Sequence, residues 1–108
     1  MNKNKEEIKC ILAEIENELR SLELWKDKLP NVKAFQSNEP FFMDTMEFHE
    51  WLQFVLIERF RSIINERKDL PENVAIFPYA FEIYKNEKSS KMKLLKHIYA
   101  LDNFFKKG

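Results

Sequence analysis

Residues 44–67, DTMEFHEWLQFVLIERFRSIINER, decide the fold. Phe48, Trp51, Leu52, Val55, Leu56, Phe60, Ile63 and Ile64 recur at steps of three and four, which lines one face of a helix. Phe54 and Ile57 add apolar surface on another side, so the middle of this helix is expected to be buried nearly all round. Asp44 is the expected cap: its carboxylate can accept the Glu47 amide while Glu47 reaches back to the amide of Asp44. A helix running to about Arg67 is a rod of roughly 35 Å, long enough to be the central element.

Upstream, Ile8, Ile11, Leu12, Ile15, Leu19, Leu22, Trp25 and Leu29 make a second stripe. It predicts a helix from about Lys3 to Leu29, ended by Pro30 because the residue before a proline disfavours helical backbone. Asn31 to Met43 has no periodicity and carries Ser37, Asn38 and Pro40, so it reads as a loop with extended pieces. The loop ends in Phe41-Phe42-Met43, which must either fold back onto the core or form an exposed sticky patch.

Downstream, Leu70-Pro71-Glu72-Asn73 is a turn, and Val74 to Phe77 reads as short helical or irregular chain. Pro78 suits the first turn of a short helix to about Asn86 that would bury Phe81 and Tyr84. After a polar connector, Ser89 or Ser90 can cap a last helix to about Phe105, with Met92, Leu94, Leu95, Ile98, Tyr99, Leu101, Phe104 and Phe105 as its apolar set. No strand alternation survives. The expected fold is all-α: a compact four-helix bundle, two helices long and two shorter, as one domain over residues 1–108.

Composition narrows function mainly by exclusion. The 108 residues carry 18 basic and 18 acidic side chains, so binding to nucleic acid or anionic membrane through overall charge alone is ruled out. The single glycine leaves no room for a phosphate loop or dinucleotide fingerprint, and no cofactor is indicated. No apolar run is long enough to cross a membrane, no secretory leader is visible, and Cys10 is a single thiol. The expectation is a cytoplasmic protein.

Candidate chemistry is sparse. His49 and His97 are the two histidines, and position 53 is Gln where a zinc-protease helix would need His, so no metal site is expected. Asp44, Glu47 and Glu50 cluster at the start of the central helix. They are either a cap box in a favourable helix dipole or a carboxylate set for acid–base work. The second reading requires a pocket and a raised carboxyl beside Trp51. Residues 70–108 carry seven basic and four acidic groups. Lys85, Lys88, Lys91, Lys93 and Lys96 could therefore meet phosphate, or simply solvate the outer face of the last helix.

The run Glu39-Pro40-Phe41-Phe42-Met43-Asp44-Thr45-Met46-Glu47 resembles the signature of the YqcC-like family of small bacterial proteins. Glu50 to Gln53, Val55 to Ile57, Arg59, Leu70-Pro71, Ala75, Pro78-Tyr79 and Leu101-Asp102 extend the resemblance, as do Trp25, Phe35 and Ser37. Phe48-His49 and the lysine-rich last helix depart from the pattern. The resemblance implies a four-helix domain associated with tRNA pseudouridine synthase C, and it carries no catalytic residues.

Three functional expectations follow. The first is a non-enzymatic interaction module that binds a protein partner, a tRNA pseudouridine synthase being the one the resemblance implies. Its contact residues would be Pro40, Phe41, Phe42, Met43, Asp44, Met46 and Glu47 of the loop with the nearby aromatics Trp51 and Tyr79, residue types favoured as interface anchors. The second is RNA binding through the five lysines. The third is a small enzyme using Asp44, Glu47 and Glu50. A helix apolar on several sides, with an apolar loop beside it, also suits a homodimer interface.

Overall fold

A computed structural model describes residues 5–106. Among them are four helices and no strand. Helix α1 is Lys5–Ser21; α2 spans residues 48–65; α3 is Phe77–Ile83; α4 is Lys88–Lys106. The chain packs with a radius of gyration of 13.7 Å.

Helix α1 carries acids in its first turn and Arg20 in its last, both favourable to the helix dipole. Its Ile8, Leu12, Ile15 and Leu19 are 0% exposed. They pack on α4, which turns Leu94, Ile98 and Leu101 toward them, again without exposure. Glu16 of α1 receives Arg61 of α2 at 2.8 Å and Arg20 at 2.9 Å. Burial pushes the Glu16 carboxyl up, but the two guanidinium groups outweigh it and hold the carboxyl below its usual range.

The first helix is shorter than its stripe predicts: it stops at Ser21 instead of Leu29. Glu23 takes φ 61°, its amide donates to the Arg20 carbonyl, and the Leu24 amide donates to the Leu19 carbonyl. That pair of bonds is a Schellman ending, with a glutamate where glycine is usual. The apolar spacing past Leu22 is therefore not helical. Trp25 lies half-buried under the Arg20 guanidinium, 4.7 Å from its ring centre, and Leu29 is 77% exposed.

The central helix starts later than predicted. Asp44 does not cap it; its carboxylate accepts the Ser37 hydroxyl instead. Glu47 precedes the helix, and the Glu50 carboxylate accepts the Glu47 amide at 2.8 Å. Two overlapping cap patterns compete here, and the later one sets the start. The helix then runs through an α-helical turn Phe48–Trp51, a π-helical segment Leu52–Ile57 and an α-helical segment Glu58–Asn65. In the π-helical segment every residue but Phe54 is buried, so the middle of the helix is covered nearly all round as expected. Arg67, at φ 56°, ends the helix as Glu23 ends α1, with the Arg67 amide on Ile64 and the Lys68 amide on Ile63.

Helix α3 starts one residue before Pro78 and ends at Ile83, short of Asn86. Tyr84 is buried, but Phe81 is 40% exposed, against expectation, as are Met92 at 54% and Tyr99 at 50% on α4. Helix α4 begins at Lys88, ahead of the expected serine cap; the Ser90 hydroxyl donates back to the Glu87 carbonyl at 3.1 Å.

Left-handed backbone costs a residue with a Cβ about 1–2 kcal/mol, of which glycine recovers roughly half after its own entropy loss. Glu23→Gly and Arg67→Gly are each expected to raise stability by about 0.5–1 kcal/mol, a rise in Tm of about 3–6 °C. Thermal unfolding followed by circular dichroism checks this; an unchanged or lower Tm for both would contradict the two helix endings described above.

Candidate functional site

The connector between α1 and α2 is irregular, so its backbone polar groups need partners from elsewhere. Gln53, buried at 5% exposure, supplies two: its Oε1 accepts the Lys26 amide at 2.9 Å and its Nε2 donates to the Lys26 carbonyl at 2.8 Å. Lys26 Nζ reaches the Glu50 carboxylate at 3.0 Å, which fixes the same point by charge. Further on, Asn31 caps a 3₁₀ turn, Val32–Gln36, and the Thr45 hydroxyl donates to the Ala34 carbonyl at 2.7 Å. The Ser37 hydroxyl oxygen accepts the Glu39 amide at 3.0 Å. These bonds close the loop 31–45 on itself.

A second 3₁₀ turn, Pro40–Phe42, brings Phe41 and Phe42 into left-handed backbone at φ 56° and φ 51°. The two rings then part company. Phe41 turns inward and stacks on Tyr79 of α3, centroids 4.2 Å apart and planes 9° from parallel. It meets Trp51 edge-on at 4.9 Å and Phe48 at 6.1 Å. Each such ring pair contributes about 0.5–1.5 kcal/mol beyond burial, enough together to offset the backbone strain at Phe41. Phe42 lies on the other side, half-buried, in a surface cleft of about 570 Å³ with Phe35, Phe54, Glu58, Arg59 and Ser62.

The expected contact residues thus divide. Pro40, Met43, Asp44 and Glu47 face solvent, Met43 at 54% exposure. Met46 and Trp51 belong to the core; Phe41, Phe42 and Tyr79 are half-buried against it. Asp44, Glu47 and Glu50 follow one another along the loop and first turn, each with a structural task for at least its backbone or carboxylate. Burial raises the Glu50 carboxyl, but the Glu47 amide and Lys26 outweigh it and hold it below its usual range. That is the direction opposite to the one a general acid beside Trp51 needs.

The five candidate lysines, Lys85 before α4 and the rest on it, also divide. Lys85 pairs with Glu82 and Lys91 with Glu87, each at 2.9 Å, and Lys91 lies over the Tyr84 ring. Lys88, Lys93 and Lys96 have no carboxylate partner among the described residues; Lys88 sits 4.6 Å over the Phe81 ring. Among the described residues no group of three His, Cys, Asp or Glu is placed to hold a metal ion, and no helix is long and apolar enough to cross a membrane.

Two site-forming residues escaped the sequence reading. Asp102, 4% exposed, accepts the Ile76 amide with both carboxylate oxygens, at 3.0 and 2.8 Å, and the Phe77 amide at 2.7 Å. It caps α3 from α4 and so sets where Tyr79 meets Phe41. Gln53 is the other. Both act on backbone more than twenty positions away in sequence, which no local spacing signals.

A family model described as tRNA pseudouridine synthase C (DUF446) matches residues 7–104. The solution NMR structure of YqcC from Escherichia coli superposes with a TM-score of 0.80 at 32% identity, covering 96% of this chain and 89% of that one. The chain belongs to the YqcC-like family. The Escherichia coli YqcC sequence is 34% identical over 98 residues, 91% of this chain and 90% of its own, and is described as uncharacterized. An uncharacterized YqcC-like relative from Haemophilus influenzae is 37% identical over 91 residues, 84% of this chain and 85% of its own. A third similarity is of another kind: 36% identity over 67 residues, 62% of this chain but 18% of a Pectobacterium carotovorum protein named tRNA pseudouridine synthase C.

Two predictions follow. Phe41→Ala removes the inward ring of the YqcC-like loop and is expected to cost about 2–4 kcal/mol in chemical denaturation, somewhat less than the roughly 3–5 kcal/mol of a fully buried aromatic; a cost under about 0.5 kcal/mol would contradict its plug position. His49, half-buried beside Glu50, Lys26, Glu47 and Lys91, has its pKa pulled below 6.5, mainly by burial. The unfolded chain then binds the proton more readily, so this contribution to stability is complete above pH 6.5 and is lost as the pH falls toward the folded pKa. His49→Gln is expected to flatten the stability profile between about pH 7 and 5, as measured by urea titration.

Proposed function

We propose that the chain is a non-enzymatic interaction module that docks on a tRNA pseudouridine synthase through the outward side of the Pro40–Glu47 loop. The observation that carries this reading is the division between two adjacent phenylalanines. Phe41 is spent on holding the loop, and in doing so it leaves Phe42 beside an open cleft, with Pro40 and Met43 next to it in solvent. A fold does not keep two left-handed phenylalanines without compensation, and strained backbone of this kind gathers at functional surfaces. Phenylalanine and methionine at a rigid edge are the side chains interfaces favour, and the charges Glu58 and Arg59 beside Phe42 supply a polar rim.

The partner is taken from the family description and from the Pectobacterium carotovorum protein, in which a stretch similar to this chain occupies a minor part of a protein named as such a synthase. A module that is separate in one protein and joined in another commonly serves the same partner. The reading places the module in the cytoplasm, where an exposed thiol such as Cys10 stays reduced.

Titration of the purified chain into tRNA pseudouridine synthase C, followed by calorimetry, tests the proposal. Phe42→Ala and Met43→Ala are each expected to weaken binding by about 2 kcal/mol, roughly thirtyfold, with both variants still folded. Undiminished affinity in both, with unchanged unfolding curves, would remove the loop as the docking surface; no binding by the unaltered chain would remove the synthase as the partner.

A further inference from the structure

We propose that the groove between α3 and α4 is a second docking surface, built for an acidic amphipathic helix of a partner protein. It is separate from the Pro40–Glu47 loop and does not rest on it. Tyr79 faces the loop from one side of α3, whereas Phe77 and Phe81 form the groove wall on the other. The groove holds about 400 Å³, with Met92, Leu95 and Tyr99 of α4 as floor and far wall. Phe77 meets Phe81 at 5.7 Å and Tyr99 at 5.1 Å, so the walls are fixed by ring contacts before anything binds. Phe81, Met92 and Tyr99 remain 40%, 54% and 50% exposed, an apolar surface that the two helices leave uncovered.

Charge selects the occupant. Lys88 and Lys96 flank the groove, and no acidic side chain lines it among the described residues. The nearby acids Glu82 and Glu87 are already engaged by Lys85 and Lys91. Lys88 and Lys96 lie two helical turns apart, roughly 12 Å along α4. Carboxylates two turns apart on a docked helix span about the same distance, and apolar residues between them would enter the groove as anchors. A small apolar acid is disfavoured because pockets for such ligands cover most of the ligand surface, whereas Phe81, Met92 and Tyr99 of this groove's lining stay largely exposed. A second copy of α1, the most acidic helix here, would present Cys10, Ala13, Asn17 and Glu14 on its exposed side, with no apolar anchors.

The test uses the full chain and a fluorescein-labelled designed helix carrying leucines on one stripe and glutamates on both flanks, with a twin in which lysines replace the glutamates. Fluorescence anisotropy is expected to give micromolar binding of the acidic helix and binding of the lysine twin at least about tenfold weaker. Met92→Glu is expected to weaken the acidic helix by about tenfold or more, and Lys88→Glu with Lys96→Glu to reverse the preference between the twins. All these positions are exposed, so the variants keep the fold, which circular dichroism verifies. Equal binding of the twins, no binding of either, or insensitivity to Met92→Glu would overturn the proposal. So would uptake of a long-chain fatty acid in place of the helix, or a concentration-dependent dimer abolished by Met92→Glu, which would assign the groove to a lipid or to a second copy.

Discussion

The carboxylate of Asp102 holds the backbone of Ile76 and Phe77 from inside the molecule, and the placement of α3 depends on it. Burying an ionised carboxylate is costly unless it is richly hydrogen-bonded. Here burial pushes the Asp102 carboxyl up, and the two amides and Lys106 draw it part of the way back, leaving it above its ordinary value. What is gained is a start for α3. That helix has 7 residues, too few to be stable by itself, and the residue before it, Ile76, has no side chain that can cap. The cap is therefore tertiary: it comes from α4, and the same bonds that begin α3 also dock it.

Gln53 solves the matching problem on the other side of the molecule. Residues 22–47 form a long connector whose regular structure is two short 3₁₀ turns, and such a segment survives only where its amides and carbonyls are satisfied. A buried glutamine presents one acceptor and one donor in the spacing of a peptide group, and Lys26 meets both. Chain direction is set by equally specific means. With its one glycine at the terminus, the protein makes its sharp reversals with Glu23, Phe41, Phe42 and Arg67 in left-handed backbone. At Glu23 and Arg67 the return is a pair of helix-ending hydrogen bonds; at Phe41 it is a stack of rings. Buried Tyr84 shows the opposite case, since its hydroxyl has no hydrogen-bond partner among the described residues and burial drives its pKa up to about 12.

What the sequence made legible was periodic. Ile8, Leu12, Ile15 and Leu19 announce one buried stripe and Leu94, Ile98 and Leu101 another, and all are sealed in the core. The errors came where periodicity and backbone part. Trp25 and Leu29 continue the spacing of α1 by coincidence of residue type, while the chain has already turned at Glu23. Phe81, Met92 and Tyr99 sit at helical spacing too, yet they stay largely exposed among the described residues. Asp44 has the spacing of a cap, but its carboxylate takes the Ser37 hydroxyl while the Glu50 carboxylate takes the Glu47 amide, so the helix starts later. The loop posed a choice between core plug and exposed surface that spacing could not resolve, because neighbouring phenylalanines are chemically alike. Their backbone sends one to each role.

Helix α3 stands between the two surfaces and couples their geometry. Its Tyr79 receives Phe41 on one side, while Phe77 leans on Tyr99 on the other, and Asp102 holds its first amides. These are the contacts that define where a helix of this length sits, because its own hydrogen bonds are too few to do so. Met43 and Phe42 owe their position to the Phe41 stack, and the groove owes its wall to the same helix from behind. Tyr79 and Asp102, through these contacts, are thus the side chains that give both exposed faces their shape.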